Sequence, residues 1–555
     1  MMMKWLVLGT LFLVNLYREP TPVIRVRSGL VRGRISEDGR YHFYYGIPYG
    51  TVNDRNRFQA PLPPPEWDGV LDAVDETTRC PQKLLIDSVI VGNEDCLKLN
   101  VYTPAARSTK PYPVMVYIHG GLFIDGSVST LLYGPDYFLD HGVIYVAVSY
   151  RLNVEGFLCL GIMEAPGNAG LKDQIAALRW VKENIRAFGG DPDSVTLFGE
   201  SAGAVSTSHL TLSPIAKGLF HRTILQSGSS IVPWGIQHDP IRTASDLAKE
   251  FGYSGKDPYK IYETLSNRTT KELIWGIKYK QHKNFITAET LFVPCVENDI
   301  PGVEAVLKKH PIDIIQSGEY NKLPMIRGFN DKEGIYFVAK DFGVSVKNPD
   351  PHGLFQADLE FSTERSRNET AEELLQQYFT KDNDEKVMEM VDLYSDLHVK
   401  FPLILESELF SKTNDKPMYF YVFTYDGFFN LAKYISKFIF SGGASHADEL
   451  FYLFKSYVLY RLPVQNNQML QRMVTMWTNF AKYSDPTPTK SALLPFRWRP
   501  SRASNPTALV MGSELTTAPM GDDARVGFWN RTYTKYRRRH YGFENHTFVI
   551  PNINC

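Results

Sequence analysis

Five residues, Gly199-Glu200-Ser201-Ala202-Gly203, have the types and spacing of a nucleophile's setting. The β-branched and apolar run Ser194–Phe198 precedes them, and Ala204–Leu210 can continue as a helix. Strand, sharp turn and helix is the context in which Gly-x-Ser-x-Gly exposes a serine hydroxyl. The two glycines remove Cβ atoms where the backbone doubles back, so the serine tolerates strain. A serine hydroxyl attacks only with help: a base to take its proton, an acid to orient the base, and N–H groups to hold the charge that develops.

Three other stretches offer those parts. His119-Gly120-Gly121-Leu122-Phe123 follows the apolar run Val114–Ile118, and its glycines let a carbonyl approach backbone amides. Taken alone, it reads more readily as a Gly-Gly turn closing a strand, and its place upstream of the serine turn favours the functional reading. Among 13 histidines, His446 lies in Ser441-Gly-Gly-Ala-Ser-His-Ala-Asp-Glu-Leu450, where small neighbours let an imidazole project from a loop. The alternative there is a solvated loop histidine. For the acid, Gly328-Phe-Asn-Asp-Lys-Glu-Gly334 follows a strand-like run and offers both Asp331 and Glu333.

The surrounding pattern supplies elements to position these residues. Leu97–Tyr102, Val114–Ile118 and Val143–Tyr150 are strand-like runs of the continuous kind that helices cover on both faces. Leu171–Phe188 repeats apolar residues at helical spacing, and Gly189-Gly190 stops it before the strand that enters the serine turn. Strand, helix, strand of this length predicts a crossover between parallel strands. Thr223–Gln226, Pro324–Gly328 and Met418–Tyr425 read as further strands, with helices at 241–251, 370–395 and 467–483. Residues 22–50 read as hairpins at a sheet edge.

The chain has 555 residues, 43% of them hydrophobic and 22% charged, which suits a large core, and a net charge of −1 gives no reason to expect nucleic acid or an anionic membrane. Lys4 followed by Trp5–Val14 predicts a signal peptide over 1–17, without a small-x-small pattern to place the cut, leaving 18–555 as one domain. Sequons at Asn267, Asn368, Asn530 and Asn545 then become glycan sites, and the protein is expected outside the cell as a monomer or weak dimer. Of five cysteines, Cys80 and Cys96 form the natural pair in an oxidising compartment, worth roughly 3 kcal/mol on a chain-entropy argument. Cys159 and Cys295 sit in apolar runs and read as buried thiols, leaving Cys555 over.

Together, Glu94-Asp-Cys-Leu-Lys-Leu-Asn-Val, the His119-Gly-Gly element, Ala165-Pro-Gly-Asn, Phe188-Gly-Gly-Asp-Pro, Gly199-Glu-Ser-Ala-Gly and Gln226-Ser-Gly resemble the type-B carboxylesterase and cholinesterase-like family, and within it the insect secreted and antennal carboxylesterases. The resemblance runs from about residue 22 to 540. It implies an α/β-hydrolase fold, a large, mostly parallel sheet with helices on both faces. It implies Ser201 as nucleophile, Glu333 as acid and His446 as base, with the amides of Gly121, Leu122 and Ala202 as the oxyanion hole. It also implies the Cys80–Cys96 disulfide and ion pairs Arg57–Glu94 and Arg151–Asp173. No cofactor or metal is implied, and the expected partner is a small-molecule ester. Most relatives have a small residue where this chain has Leu122.

The choline-selective relatives place a tryptophan inside the first disulfide loop. Here that loop has no aromatic residue but has Leu84, Leu85, Ile86, Val89 and Ile90, and Ala288–Leu291 also lacks aromatics. The expected substrates are therefore neutral aliphatic esters, such as odorant, pheromone or xenobiotic acetates. The alternatives are juvenile hormone ester hydrolysis, whose branch usually carries Gln where this chain has Glu200, and a non-catalytic or scavenging relative.

Overall fold

Apolar runs between turn residues fold as the strands of one eleven-stranded sheet in the computed structural model, which describes residues 19–538 except 85–88, 107, 278–291, 341–354, 356–357, 380–385, 458–466 and 522. In chain order the strands are β1 (Arg34–Ile35), β2 (Tyr41–Pro48), β3 (Lys98–Pro104), β4 (Tyr112–Ile118), β5 (Ile144–Val148), β6 (Gly190–Glu200), β7 (Arg222–Gln226), β8 (Met325–Asn330), β9 (Met418–Phe423), β10 (Thr507–Met511) and β11 (Leu515–Pro519). Across the sheet they run β11-β10-β9-β8-β7-β6-β4-β5-β3-β2-β1. The pairings from β5 through β4 to β10 are parallel. Those at the two margins are antiparallel.

Parallel strands bury both faces, and the pleat sends alternate residues to opposite sides. Val114, Val116 and Ile118 of β4 enter one core with Leu171, Ile175, Leu178 and Val181 of helix α1 (Ala169–Asn184). Met115 and Tyr117 enter the other, with Met473, Trp477 and Phe480 of helix α4 (Gln468–Tyr483). Helix α2 (Ala202–Leu212) follows β6, and helix α3 (Phe401–Thr413) precedes β9. The helix expected over 171–188 tightens into a 3-10 turn over Ile185–Phe188 and stops at Gly189, whose φ is 85°. The 370–395 segment is two helices, Glu364–Tyr378 and Lys386–Ser395.

Covalent and ionic ties differ in part from expectation. Cys80 and Cys96 are bonded, and so are Cys159 and Cys295, 136 residues apart, which the sequence suggested were thiols. Gly167 makes room for the second bridge, since a Cβ there would fall 2.7 Å from the Cys295 sulfur and 2.9 Å from that of Cys159. Arg151 and Asp173 form the expected pair at 2.5 Å, fully buried. Arg57 instead binds Glu155 at 2.8 Å, and Glu94 joins that cluster through the Thr270 hydroxyl. Asn267 and Asn368 are exposed and Asn530 half-buried, while Asn545, Cys555 and the 1–17 segment lie outside the described residues. Among the described residues no helix is long and apolar enough to cross a membrane.

Candidate active site

Strands β6, β7, β8 and β9 are consecutive neighbours, and their C-terminal ends form one edge of the sheet, where open α/β folds place their ligands. Ser201 stands at the end of β6 with φ 56° and ψ −125°, a conformation that non-glycine residues avoid. The flanking glycines make the turn possible. A Cβ on Gly199 would fall 2.4 Å from the Gly203 carbonyl carbon, and one on Gly203 would fall 2.0 Å from the Ile118 oxygen. The Ser201 amide donates to the Gln226 carbonyl at 2.9 Å, tying the elbow to β7.

Two loops bring an imidazole to that edge. The Lys332 amide donates to the Ala444 carbonyl at 2.9 Å, and the Ala444 amide donates to Asp331 Oδ1 at 2.8 Å. Asp331 thus holds the backbone of the His446 loop, and the acid facing the ring is Glu333. His446 Nδ1 lies 2.5 Å from Glu333 Oε2, whose other oxygen accepts the Asn330 amide at 2.7 Å. The Tyr336 and Phe337 rings flank the imidazole, with centroids 5.2 and 5.5 Å away.

A second carboxylate meets the other ring nitrogen: Glu200 Oε1 is 3.1 Å from His446 Nε2. Burial pushes Glu200 up, to about 8, against the pull of His446. Burial alone would lower His446, but the Glu200 and Glu333 carboxylates hold it up at about 9. Behind them, buried Glu449 accepts from Gln226 Nε2 at 3.0 Å and Asn330 Nδ2 at 2.5 Å, while the Trp477 indole donates to Gln226 Oε1 at 3.2 Å. Burial and the nearby Glu333 raise Glu449 to about 7. Sequence reasoning missed Glu200, Glu449, Asn330 and Trp477 as site residues. Glu200 was within reach, since it adjoins Ser201; the others come from separate strands and helices.

The glycine loop after β4 packs against the elbow. A Cβ on Gly120 would fall 3.0 Å from Ser201 Cβ and 2.7 Å from the Glu200 carbonyl oxygen. Gly121, Leu122 and Phe123 have φ of 114°, 54° and 61°, a left-handed run that turns the chain under the serine. Among the described residues the Gly121 and Leu122 amides donate to no protein acceptor. Ala202 heads α2, where first-turn amides lack intrahelical acceptors. His119 stacks on Tyr150 at 4.5 Å, and burial lowers it to about 4, so it stays neutral. Leu122 is buried. Leu85, Ile86 and Ala288–Leu291, expected near the alcohol and acyl sides, lie outside the described residues.

A strained serine after β6, a glycine loop after β4, and a carboxylate–imidazole pair after β8 and β9 are the parts of an α/β-hydrolase, in the order that fold requires. The chain matches the Carboxylesterase family over residues 20–529 and belongs to that family. It is 32% identical to Esterase FE4 of Myzus persicae, covering 96% of this chain and 95% of that protein. It is 31% identical to the juvenile hormone esterase of Tribolium castaneum, covering 85% of each. The crystal structure of juvenile hormone esterase from Manduca sexta, with OTFP covalently attached, matches with a TM-score of 0.82 at 30% identity, covering 93% of this chain and all of that one. The protein is therefore a carboxylic ester hydrolase with the α/β-hydrolase fold.

Proposed function

We propose that Ser201 attacks the carbonyl carbon of a neutral carboxylic ester and forms an acyl-enzyme. His446 takes the serine proton through Nε2. Glu333 keeps the imidazole in the tautomer with Nδ1 protonated and stabilises the imidazolium that forms. The amides of Gly121, Leu122 and Ala202 hold the oxyanion. The alcohol leaves with the proton from His446, and water activated by the same imidazole releases the acid. The carrying observation is the 2.5 Å contact between Glu333 and His446 at the sheet edge where the strained elbow presents Ser201.

The reading includes secretion after removal of 1–17 and glycans at the sequons. Two bonded cysteine pairs are consistent with an oxidising compartment. The aromatic-free first disulfide loop favours uncharged alkyl alcohols over choline, since quaternary ammonium binds aromatic faces. Labelling with an organophosphate tests the nucleophile: one serine, Ser201, should carry the label, and Ser201→Ala should carry none. A label on Ser227 would refute the assignment. Comparing kcat/KM for an alkyl acetate with that for acetylthiocholine tests the substrate class, and a higher value for the choline ester would overturn it. Juvenile hormone ester hydrolysis is a second reading, supported by the likeness to the Manduca sexta enzyme and opposed by Glu200 at the elbow.

A further inference from the structure

The loop that carries His446 is held from two sides, and one of its holders is a buried cation. On one side lie the end of β8 and the turn after it. Asn330 Nδ2 donates to the Ser445 carbonyl at 2.7 Å, Asp331 accepts the Ala444 amide, and the Lys332 amide donates to the Ala444 carbonyl. On the other side lies the short helix Leu431–Ile435. Its Lys433 is 2% exposed, although Tyr434, Ile435, Ile439 and Phe440 on the same segment stand out in solvent. The Lys433 ammonium donates to the Ser441 carbonyl at 3.0 Å, to the Gly443 carbonyl at 2.8 Å and to the Asp426 carboxylate. An ammonium has three N–H donors, and these acceptors use them all. The Lys433 amide donates to Asp448 Oδ1 at 3.1 Å, and Asp448 Oδ2 accepts the Ser445 amide at 2.7 Å.

This segment reverses the usual placing of side chains, with apolar groups outward and the charge inward. A buried ammonium costs free energy unless its donors are paired. Here two of the pairings are with backbone five and three residues before the imidazole, so the ammonium fixes where the His446 loop begins. A Cβ on Gly443 would fall 2.6 Å from Asp331 Oδ2, so the loop passes closely between Lys433 and Asp331. The placing matters because both imidazole nitrogens meet carboxylates, at 2.5 Å for Glu333 and 3.1 Å for Glu200. A loop shift of about 1 Å would open one contact or the other, and misplacement of that size costs catalysis roughly 10²-fold. The charged groups that face the ring are Glu200 at the elbow, Glu333 after β8 and Glu449 beyond the loop. Lys433 bonds to the backbone of the loop, so its influence on the ring is one of position.

We propose that Lys433 is a positioning residue for ester hydrolysis: its ammonium fixes the Ser441–Gly443 backbone and so sets His446 between Glu333 and Glu200. This rests on the proposed ester-hydrolysing site and adds a part to it. The test replaces Lys433 by methionine, which fills the space without donors, and by glutamine, which keeps N–H donors on a shorter arm. In Lys433→Met, kcat for 4-nitrophenyl acetate should fall roughly 10-fold or more, while KM stays within about 2-fold. The acid limb of kcat/KM should move down by roughly 1 pH unit, because an imidazole further from its carboxylates is a weaker base. Lys433→Gln should lie between wild type and Lys433→Met. The downfield proton resonance of His446 Nδ1–H, bonded to Glu333, should broaden or move upfield in the same order. A lower rate with limb and resonance unmoved is what lost stability alone would give, and it overturns the proposal. If methionine prevents folding, the glutamine variant is read by the same two measures, and wild-type values there overturn the proposal. If the intact protein turns over no ester, the ester-hydrolysing reading fails, and the resonance alone decides the role of Lys433.

Discussion

Replacing Glu200 by glutamine keeps the shape of the side chain beside His446 and removes its charge. Against the downward push of burial, the imidazole is held at about 9, above an ordinary 6.5, by the charge of Glu200 together with the charge and hydrogen bond of Glu333. A carboxylate at contact distance raises a partner by about 1 to 3 pH units, so the variant's imidazole should titrate roughly 2 units lower. That corresponds to about 2.7 kcal/mol. The sign follows from the chemistry. The base works when neutral, so the acid limb of kcat/KM marks the pH at which it loses its proton, and Glu200→Gln should move that limb down. The plateau at high pH should also fall, by on the order of 10-fold, because the imidazolium formed during attack loses a counter-charge. At low pH the order should reverse, the variant running about 10-fold faster, since a 2-unit shift raises its neutral fraction about 100-fold against a plateau about 10-fold lower. The assay is hydrolysis of 4-nitrophenyl acetate from pH 5 to 10. Glu200 and His446 titrate as a pair, so the limbs are read as macroscopic values. An acid limb that stays in place or moves up would refute the reasoning and remove Glu200 as the source of the raised base.

His446→Gln should abolish the titration and lower kcat by roughly 10³-fold or more, and near-normal turnover would point to another base. Leu122 is buried at φ 54°, so Leu122→Gly should relieve backbone strain and open the acyl side. Branched or aromatic acyl esters should gain more than acetates, and equal gains would leave only a backbone effect. Replacing Cys159 and Cys295 together by alanine should lower unfolding stability by about 3 to 5 kcal/mol, read by denaturant melts without reductant. A change below 1 kcal/mol would show that the bridge does not constrain the unfolded chain.

The sheet's middle was legible because parallel strands are nearly continuous apolar runs: Val114–Ile118 and Val143–Tyr150 fall within a residue or two of β4 and β5. The strand into the elbow was read as starting at Ser194, yet β6 begins at Gly190. Gly190 pairs with Tyr112, and the register then slips before Val195, a bulge that periodicity does not record. Ser201 and His446 were accessible through their small-residue settings, but the choice between Asp331 and Glu333 was not. Both are acidic and two residues apart, and what separates them is the Ala444 amide that takes Asp331. The Cys159–Cys295 bridge escaped for a similar reason, because residues 136 apart carry no local sign of contact. Glu449 reads as an ordinary loop acid until Gln226 and Asn330 close on it.

Ser201, Glu333 and His446 each follow a different strand, and β6, β7, β8 and β9 lie side by side. The distances among the three side chains are thus set largely by strand spacing, about 4.8 Å per step, and by the short backbone clasp between Lys332 and Ala444. The 83 residues from Gly334 to Lys416 leave the sheet after Glu333 and return to it at β9. Changes in that excursion that spare its inward contacts, such as the buried Glu406–Arg327 ion pair and the rings beside His446, leave the strand ends where they were. Lineages can therefore remodel the walls around the ester, residue by residue or in blocks, while the reacting groups keep their places, as expected of a fold retained at a TM-score of 0.82 with 30% identity.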